Sequence, residues 1–451
     1  MFARHSPPGV FCIAIGGPQA HVDSLWSRLF NGFRAATKGS GWTCHFKTGP
    51  DVKVLHIIPS VGPARGGPSV AVRTIAQGLV SHGASVDVAT TDDNGADVLT
   101  VQLGQPVMEG GVTYLYFRRQ SRFYTVSWPL SRWLAAHVAE YDLVHIHALF
   151  SFAATAGAFW AIRRGVPYFV RPLGVLNTWG IQNRRPLLKR LSLHWIERRV
   201  LAHAAAIHFT SEQERAEAAF ALSGARSVII PNPVAIPEAE ESPSAFLARH
   251  PELAGKRVIL FLSRLDPKKG LDLLLRAFAQ VQTALADTAL VLAGNGDDAF
   301  VAGLRDKARL LGLHRVVWAG FLEGHLKRAA FAAAHVFVLP SYSENFGIAV
   351  VEAMAMGLPV IVSDQVGIQR EITRANAGIV VGCNANEVSQ AIQQALNNDV
   401  ARNEMAQNGR RLAQEFAPPA VTARLLETYR LFARKSSPSA PMQSVPLKHQ
   451  V

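Results

Sequence analysis

Glu344 and Glu352 sit eight positions apart in the stretch that runs from Pro340 to Met354. The apolar run Ala334–Leu339 before them reads as a buried strand, and the alanine-rich run after them, ending at Gly357 and Pro359, reads as a helix with its stop signal. One carboxylate therefore belongs to a strand-to-helix loop and the other lies about two turns into the helix. With a rise of about 1.5 Å per residue the two are about 10 Å apart, the span of a sugar plus part of a nucleotide. A carboxylate accepts hydrogen bonds in pairs, so each suits a vicinal diol.

A second constellation is Ser263-Arg264-Leu265-Asp266-Pro267-Lys268-Lys269-Gly270. A strand that ends in arginine, followed by a lysine at the mouth of a helix, gathers cations and free backbone N–H groups as a diphosphate requires. Taken alone it also reads as a solvated basic turn. Weaker signals accompany it. Gly294 and Gly296 close a strand in a turn that lets backbone approach a ligand, and Phe321 and Leu322 follow the strand end Trp318-Ala319-Gly320. Gly66 and Gly67 precede Pro68, a residue suited to a first helical turn. His147 ends the strand 143–147, where alternation turns it to the same side as His145, and Arg171 ends the next strand. Each of these also has a purely structural reading: an ordinary turn, a strand end, a packed histidine, a structural ion pair.

The spacing of Glu344 and Glu352 resembles the E-x7-E motif of the family-4 (group 1) retaining glycosyltransferases, and Arg264 and Lys269 resemble that family's R…K pair. The resemblance covers about 52–435 and is most specific between 257 and 372. It implies an α/β chain of the GT-B fold, two Rossmann-like doubly wound parallel-sheet domains facing across a cleft, and a hexose transferase that uses a nucleotide diphosphate sugar. It gives Arg264, Lys269, Glu344 and His147 catalytic positions. Donor contacts fall to Gly66, Gly67, Gly294, Gly296, Phe321, Leu322, Asn345, Phe346, Gly347, Ile348 and Glu352, with Glu352 on the ribose and Glu344 on the sugar. Two departures stand out: Arg171 replaces the commoner histidine, and Asp364-Gln365-Val366-Gly367-Ile368-Gln369-Arg370-Glu371 stands where the family usually has Gly-x-Pro-Glu. An arginine at 171 can bind an anionic acceptor such as a lipid-linked phosphate.

The elements that must position these residues alternate in the manner of parallel βα units. Strands are expected at 52–58, 85–90, 112–117, 143–147, 166–171 and 206–210, and again at 257–262, 289–293, 315–319, 334–339, 359–362 and 378–381. The division expected is an N-terminal extension over 1–51, an acceptor-side domain over 52–235 and a Pro-rich linker over 236–255. A nucleotide-sugar domain over 256–415, a C-terminal helix over 416–435 and a tail over 436–451 follow. The extension reads either as a disordered added arm or as a start codon set too far upstream.

With 451 residues, 49% hydrophobic and 18% charged, the chain has the composition of two ordered globular domains. Cys12, Cys44 and Cys383 have no metal-ligand spacing and no disulfide pattern, which fits a reducing cytosol. No Asp-x-Asp pair occurs, so the expected reaction needs no metal and no cofactor. Of the net charge of +13, about +10 lies between Arg118 and Arg199, where 13 Lys/Arg face only Glu140, Asp142 and Glu197. Within it, residues 184–199 mix Arg184, Arg185, Lys189, Arg190, Arg198 and Arg199 with Leu187, Leu188, Leu191, Trp195 and Ile196. Such a helix can lie on an anionic membrane surface, or can be a core-facing helix with a solvated basic face. The partners expected are a nucleotide sugar and a glycan or lipid-linked acceptor, at the inner face of the cell membrane. The phosphate and diol motifs argue against nucleic acid. Alternatives in class are a GT-B relative such as a nucleotide-sugar epimerase or phosphorylase, and a non-catalytic sugar-nucleotide-binding protein.

Overall fold

The structure, a computed structural model, describes residues 52–176, 186–222, 224–237 and 241–434. The expectations for the extension 1–51, for Arg184 and Arg185, for linker residues 238–240 and for the tail 436–451 lie outside these.

Among the described residues sixteen strands follow in chain order: β1 (Lys53–Ser60), β2 (Ser85–Thr91), β3 (Asp93–Asn94), β4 (Asp97–Val98), β5 (Pro106–Glu109), β6 (Val112–Phe117), β7 (Leu143–His147) and β8 (Tyr168–Arg171), then β9 (Ala206–Phe209), β10 (Ser227–Ile229), β11 (Arg257–Leu262), β12 (Thr288–Ala293), β13 (Val316–Gly320), β14 (Val336–Leu339), β15 (Val360–Ser363) and β16 (Gly378–Val381). They form two sheets, ordered β10-β9-β8-β7-β1-β2-β6-β5 and β13-β12-β11-β14-β15-β16, plus the small hairpin β3-β4. All ladders are parallel except β5 on β6 and the hairpin. Helices cover both faces, so β7, β8, β12, β14 and β15 are buried along their whole length. In each sheet the order reverses beside its first strand, β1 or β11, and a crevice forms there at the carboxyl ends.

The apolar stretch Leu143–Ile162 resolves into β7 and the helix Phe152–Arg164. Among the described residues no helix is long and apolar enough to cross a membrane.

The last helix, Pro418–Phe432, follows the second sheet in sequence but packs on the first. Its Val421, Leu425, Leu426 and Tyr429 share a core with Val72, Ile75, Leu79 and Phe169. Gly78 makes room for this crossing, because a Cβ there would lie 2.6 Å from Thr422 Cγ2. The two chain crossings are tied together where Val234 N–H donates to the Phe416 carbonyl at 2.8 Å.

Candidate active site

The turn after β11 is built by local chemistry. Asp266 caps the short 3-10 helix Pro267–Lys269, its side chain accepting from the Lys268 N–H at 3.1 Å, and Gly270 at φ 68° ends it and opens the helix Leu271–Ala284. A Cβ on Gly270 would come 1.9 Å from the Pro340 carbonyl oxygen, so only glycine lets this turn press against the end of β14. Tyr342 N–H donates to the Lys268 carbonyl at 2.8 Å and fixes the same approach. The result is that Lys269, almost fully buried, ion-pairs with Glu344. Burial opposes the charge on Glu344. The Lys269 ammonium beside it, then Lys268 and the Phe346 N–H, overcome that and hold the carboxyl below its ordinary range. Burial and the neighbouring Lys269 lower Lys268. Arg264 lies on the exposed lip of the same turn.

Gly347, at φ 95°, starts the helix Ile348–Ala355. Glu352 is four residues beyond Ile348, a little over one turn in rather than two, because the helix begins only after the glycine. It accepts from Lys327 Nζ at 2.6 Å, and both line a cavity of about 490 Å³ with Ala235, Ile236 and Arg328. The Glu344 loop is pinned from the other side: Glu344 N–H donates to the Gln365 carbonyl at 3.1 Å, and Gly367 N–H to the Glu344 carbonyl at 2.9 Å.

The glycines after β12 are steric requirements. A Cβ on Gly294 would sit 1.8 Å from the Ser263 carbonyl oxygen, and one on Gly296 would sit 2.2 Å from that of Leu265. Gly294 N–H donates to the Gly320 carbonyl at 2.7 Å, joining the ends of β11, β12 and β13. Beyond them Phe321 is exposed and Leu322 buried. Phe346 is buried, edge-on to Phe416 with ring centres 5.6 Å apart, so only its backbone is available to a ligand.

Residues of the first sheet reach this site. A Cβ on Gly67 would lie 3.5 Å from Ile348 Cδ1, which places the Gly66–Gly67 loop against the start of the Glu352 helix. Asn345 Nδ2 donates to Thr210 Oγ1 at 3.2 Å, and Gly174 leaves space for the Asn345 side chain. The glycine loop has a support the sequence did not reveal. Asp93, buried in the β3-β4 hairpin, accepts a two-pronged contact from Arg65 at 2.6 and 2.9 Å and also binds Arg119. Asp93 is held below the ordinary carboxylate range: burial works against its charge, and these two guanidinium groups outweigh it. No spacing signal marks it, since its partners lie in other loops.

His147 and Arg171 differ from expectation. Both are fully buried instead of opening on the cleft, because the last helix closes over that face of β7 and β8. His147 Nε2 is 2.9 Å from His56 Nδ1, His145 pairs with Tyr429 at 2.5 Å, and His208 Nε2 bonds the Ile230 carbonyl at 2.7 Å. Arg171 donates to Asn232, and among the described residues its Nε and Nη1 have no hydrogen-bond partner. The Arg171 side chain is fully covered in this arrangement. Burial, helped by the Arg171 charge, lowers His56 to about 3. Burial and the same charge lower His208 to about 3. Burial itself brings Arg171 to about 10. Among the described residues, His56, His145 and His147 also bring three ring nitrogens within 4.8 Å of one another. With the Arg171 guanidinium beside them and no carboxylate, they fit a divalent cation poorly.

Two parallel-sheet domains with cations, carboxylates and glycines at the carboxyl ends of their strands define a GT-B architecture. The chain belongs to the group 1 glycosyltransferases: the family model "Glycosyl transferases group 1" matches residues 245–412, and "Glycosyl transferase 4-like domain" matches 66–233. The chain is 31% identical over 217 residues to the phosphatidyl-myo-inositol mannosyltransferase of Mycobacterium leprae, covering 48% of this chain and 56% of that one. It is likewise 31% identical over 181 residues to the D-inositol 3-phosphate glycosyltransferase of Corynebacterium aurimucosum, covering 38% and 42%. The chain thus spans about half the length of these relatives, or less. Among solved structures, the sucrose-phosphate synthase of Thermosynechococcus elongatus superposes with a TM-score of 0.69 at 23% identity, over 84% of this chain and 98% of that one. Anabaena HepE, crystallised with UDP and glucose, gives 0.67 at 22%, over 84% and 100%.

Proposed function

We propose that the protein moves a hexose from a nucleotide diphosphate sugar to a lipid-linked or polysaccharide acceptor, with retention of configuration and without a metal, in cell-surface glycan synthesis. The observation that carries this reading is the Lys269–Glu344 pair, held where the turns after β11 and β14 meet, with Arg264 on its lip. Two cations beside a sugar-binding carboxylate meet the two needs of such a donor, a diphosphate and a ring of hydroxyls. Arg264 and Lys269 offset charge building on the departing diphosphate, a preorganised term typically worth about 10²–10³ in rate for each donor lost. Glu352 accepts from the ribose hydroxyls and Glu344 from the sugar hydroxyls. The acceptor hydroxyl attacks the anomeric carbon on the face the phosphate leaves. The C–O bond to the phosphate breaks, the new C–O bond forms, and the leaving phosphate oxygen takes the hydroxyl proton.

The named relatives include transferases to inositol lipids, which supports an acceptor of that chemical kind. The exposed Leu187, Leu188, Leu191 and Trp195 support docking on an anionic leaflet, since Arg190, Arg198 and Arg199 lie exposed among them. The test is to incubate the full chain with UDP-glucose and GDP-mannose, with and without a membrane-lipid extract and with EDTA. Release of nucleoside diphosphate that needs the extract, survives EDTA and yields the donor's own anomer supports the proposal. Release of free sugar only, or a sugar trapped covalently on Glu344 or Glu352, contradicts it.

A further inference from the structure

Glu197 is the one acid of the segment 187–199, and it is fully buried while its neighbours Arg198 and Arg199 are exposed. It ends a π-helical turn, Leu193–Glu197, set between the helices Pro186–Ser192 and Arg198–Ala202. Such a turn, closed by i→i+5 bonds, occurs mostly as a single-turn bulge inside an α-helix and is frequent at functional sites. Here it points the carboxylate inward, away from the exposed face that carries Leu191 and Trp195.

The carboxylate binds two loops of the first domain. Oε1 accepts from the Tyr124 hydroxyl at 2.6 Å, from Ser192 Oγ at 3.1 Å and from the Phe150 N–H at 3.1 Å. Oε2 is buried without a hydrogen-bond partner among the described residues. Phe150 lies three residues beyond His147, at the carboxyl end of β7. Both loops hold non-glycine residues in the left-handed region: Tyr124 and Thr125 at φ 57° and 51°, Ala148 and Phe150 at φ 67° and 56°. Left-handed backbone of this kind persists only where surrounding contacts over-determine it, and it clusters at working parts of proteins. Burying a carboxylate that has no ion pair among the described residues, to hold two such loops, costs more than an apolar side chain would, so packing alone does not explain the choice. The Lys189 ammonium, 5.7 Å from the centre of the Phe150 ring, adds a second link between the helix and the same loop.

We propose that Glu197 is a positioning residue that ties the exposed lipophilic face of the 187–199 segment to the loop following His147, so that docking of that face on an anionic leaflet orders the acceptor side of the cleft. This rests on the membrane-docking reading above and adds to it a mechanical link from the surface to the strand end. The carboxylate's part of the link runs through a single oxygen, so it is removable without touching the docking surface.

The experiment uses the full chain with vesicles of phosphatidylglycerol and phosphatidylcholine, or of phosphatidylcholine alone. Flotation reports docking, and hydrogen exchange at the Phe150 amide reports the loop. The wild-type chain is expected to float with the anionic vesicles and to slow exchange at Phe150 by about fivefold, the effect of one hydrogen bond's net stabilisation. Glu197→Ala and Tyr124→Phe are expected to float as well as the wild type but to lose that slowing. Glu197→Gln, which keeps a carbonyl acceptor at Oε1, is expected to restore it. A merely structural carboxylate would change the basal exchange rate without changing the response to vesicles. Flotation with no change at Phe150, or an unaltered vesicle response in both Glu197→Ala and Tyr124→Phe, overturns the link and leaves docking standing. Absence of flotation overturns docking and the link together.

Discussion

Lys269 and Glu344, 75 positions apart, form a nearly buried ion pair at the point where the turns after β11 and β14 touch. Each residue fixes the other's charge and direction, so either substitution leaves an unpaired buried charge. Lys269→Ala and Glu344→Gln are each expected to lower kcat/KM for transfer by about 10²–10³ while the far-ultraviolet circular dichroism stays unchanged. Loss of less than tenfold in both would remove them from the chemistry.

Glu352 has a different expected signature. If, as proposed, it holds the ribose in ground and transition states alike, Glu352→Gln is expected to raise the donor KM by about tenfold with kcat little changed. Steady-state kinetics at varied donor concentration separate this from the Glu344 effect.

Gly294 has no space for a side chain, with the Ser263 carbonyl oxygen 1.8 Å from where its Cβ would be. Gly294→Ala is expected to destabilise the fold by about 3 kcal/mol, read as a lower unfolding midpoint in urea. Gly303, where nothing lies within 4 Å of an added Cβ, is the control, and Gly303→Ala should be neutral or slightly stabilising.

The buried histidines give stability a pH dependence of known sign. His56, His145, His147 and His208 all stay neutral in the fold because burial lowers them, to about 3 for His56 and His208. The unfolded chain takes up these protons below about pH 6.5, so the contribution is complete above that pH and is lost as pH falls from 6.5 toward 3. The slope is about 1.4 kcal/mol per pH unit for each histidine that titrates in this way. Urea midpoints at pH 7.5, 6 and 5 should fall steadily, and His208→Gln should flatten the slope.

Much of the fold was legible because parallel strands covered on both faces read as continuous apolar runs. β7, β12 and β14 are such runs and lie where the sequence placed them. β10 is only three residues long and β5 is half exposed, so neither carries a pattern that outweighs its turn-like surroundings. The carboxylates, cations and glycines after β11, β12 and β14 were readable because each needs a residue type dictated by its own loop. What hid from sequence was long-range. The strand face that carries His145 and His147 is met by Tyr429, in a helix that returns from the far end of the chain and bonds His145, and Asp93 finds Arg65 and Arg119 only through the fold. Glu197 was visible only as one of three acids among thirteen cations, with nothing local to mark its π turn.

The central claim, that Arg264, Lys269, Glu344 and Glu352 grip a nucleotide diphosphate sugar, is tested most directly by calorimetric binding of UDP-glucose, GDP-mannose and their monophosphates, with EDTA present. One diphosphate sugar is expected to bind at least about tenfold more tightly than its monophosphate, and Arg264→Ala and Lys269→Ala are each expected to erase that difference, about 1.4 kcal/mol. Equal affinity for mono- and diphosphates, or a preference that survives both substitutions, would contradict it.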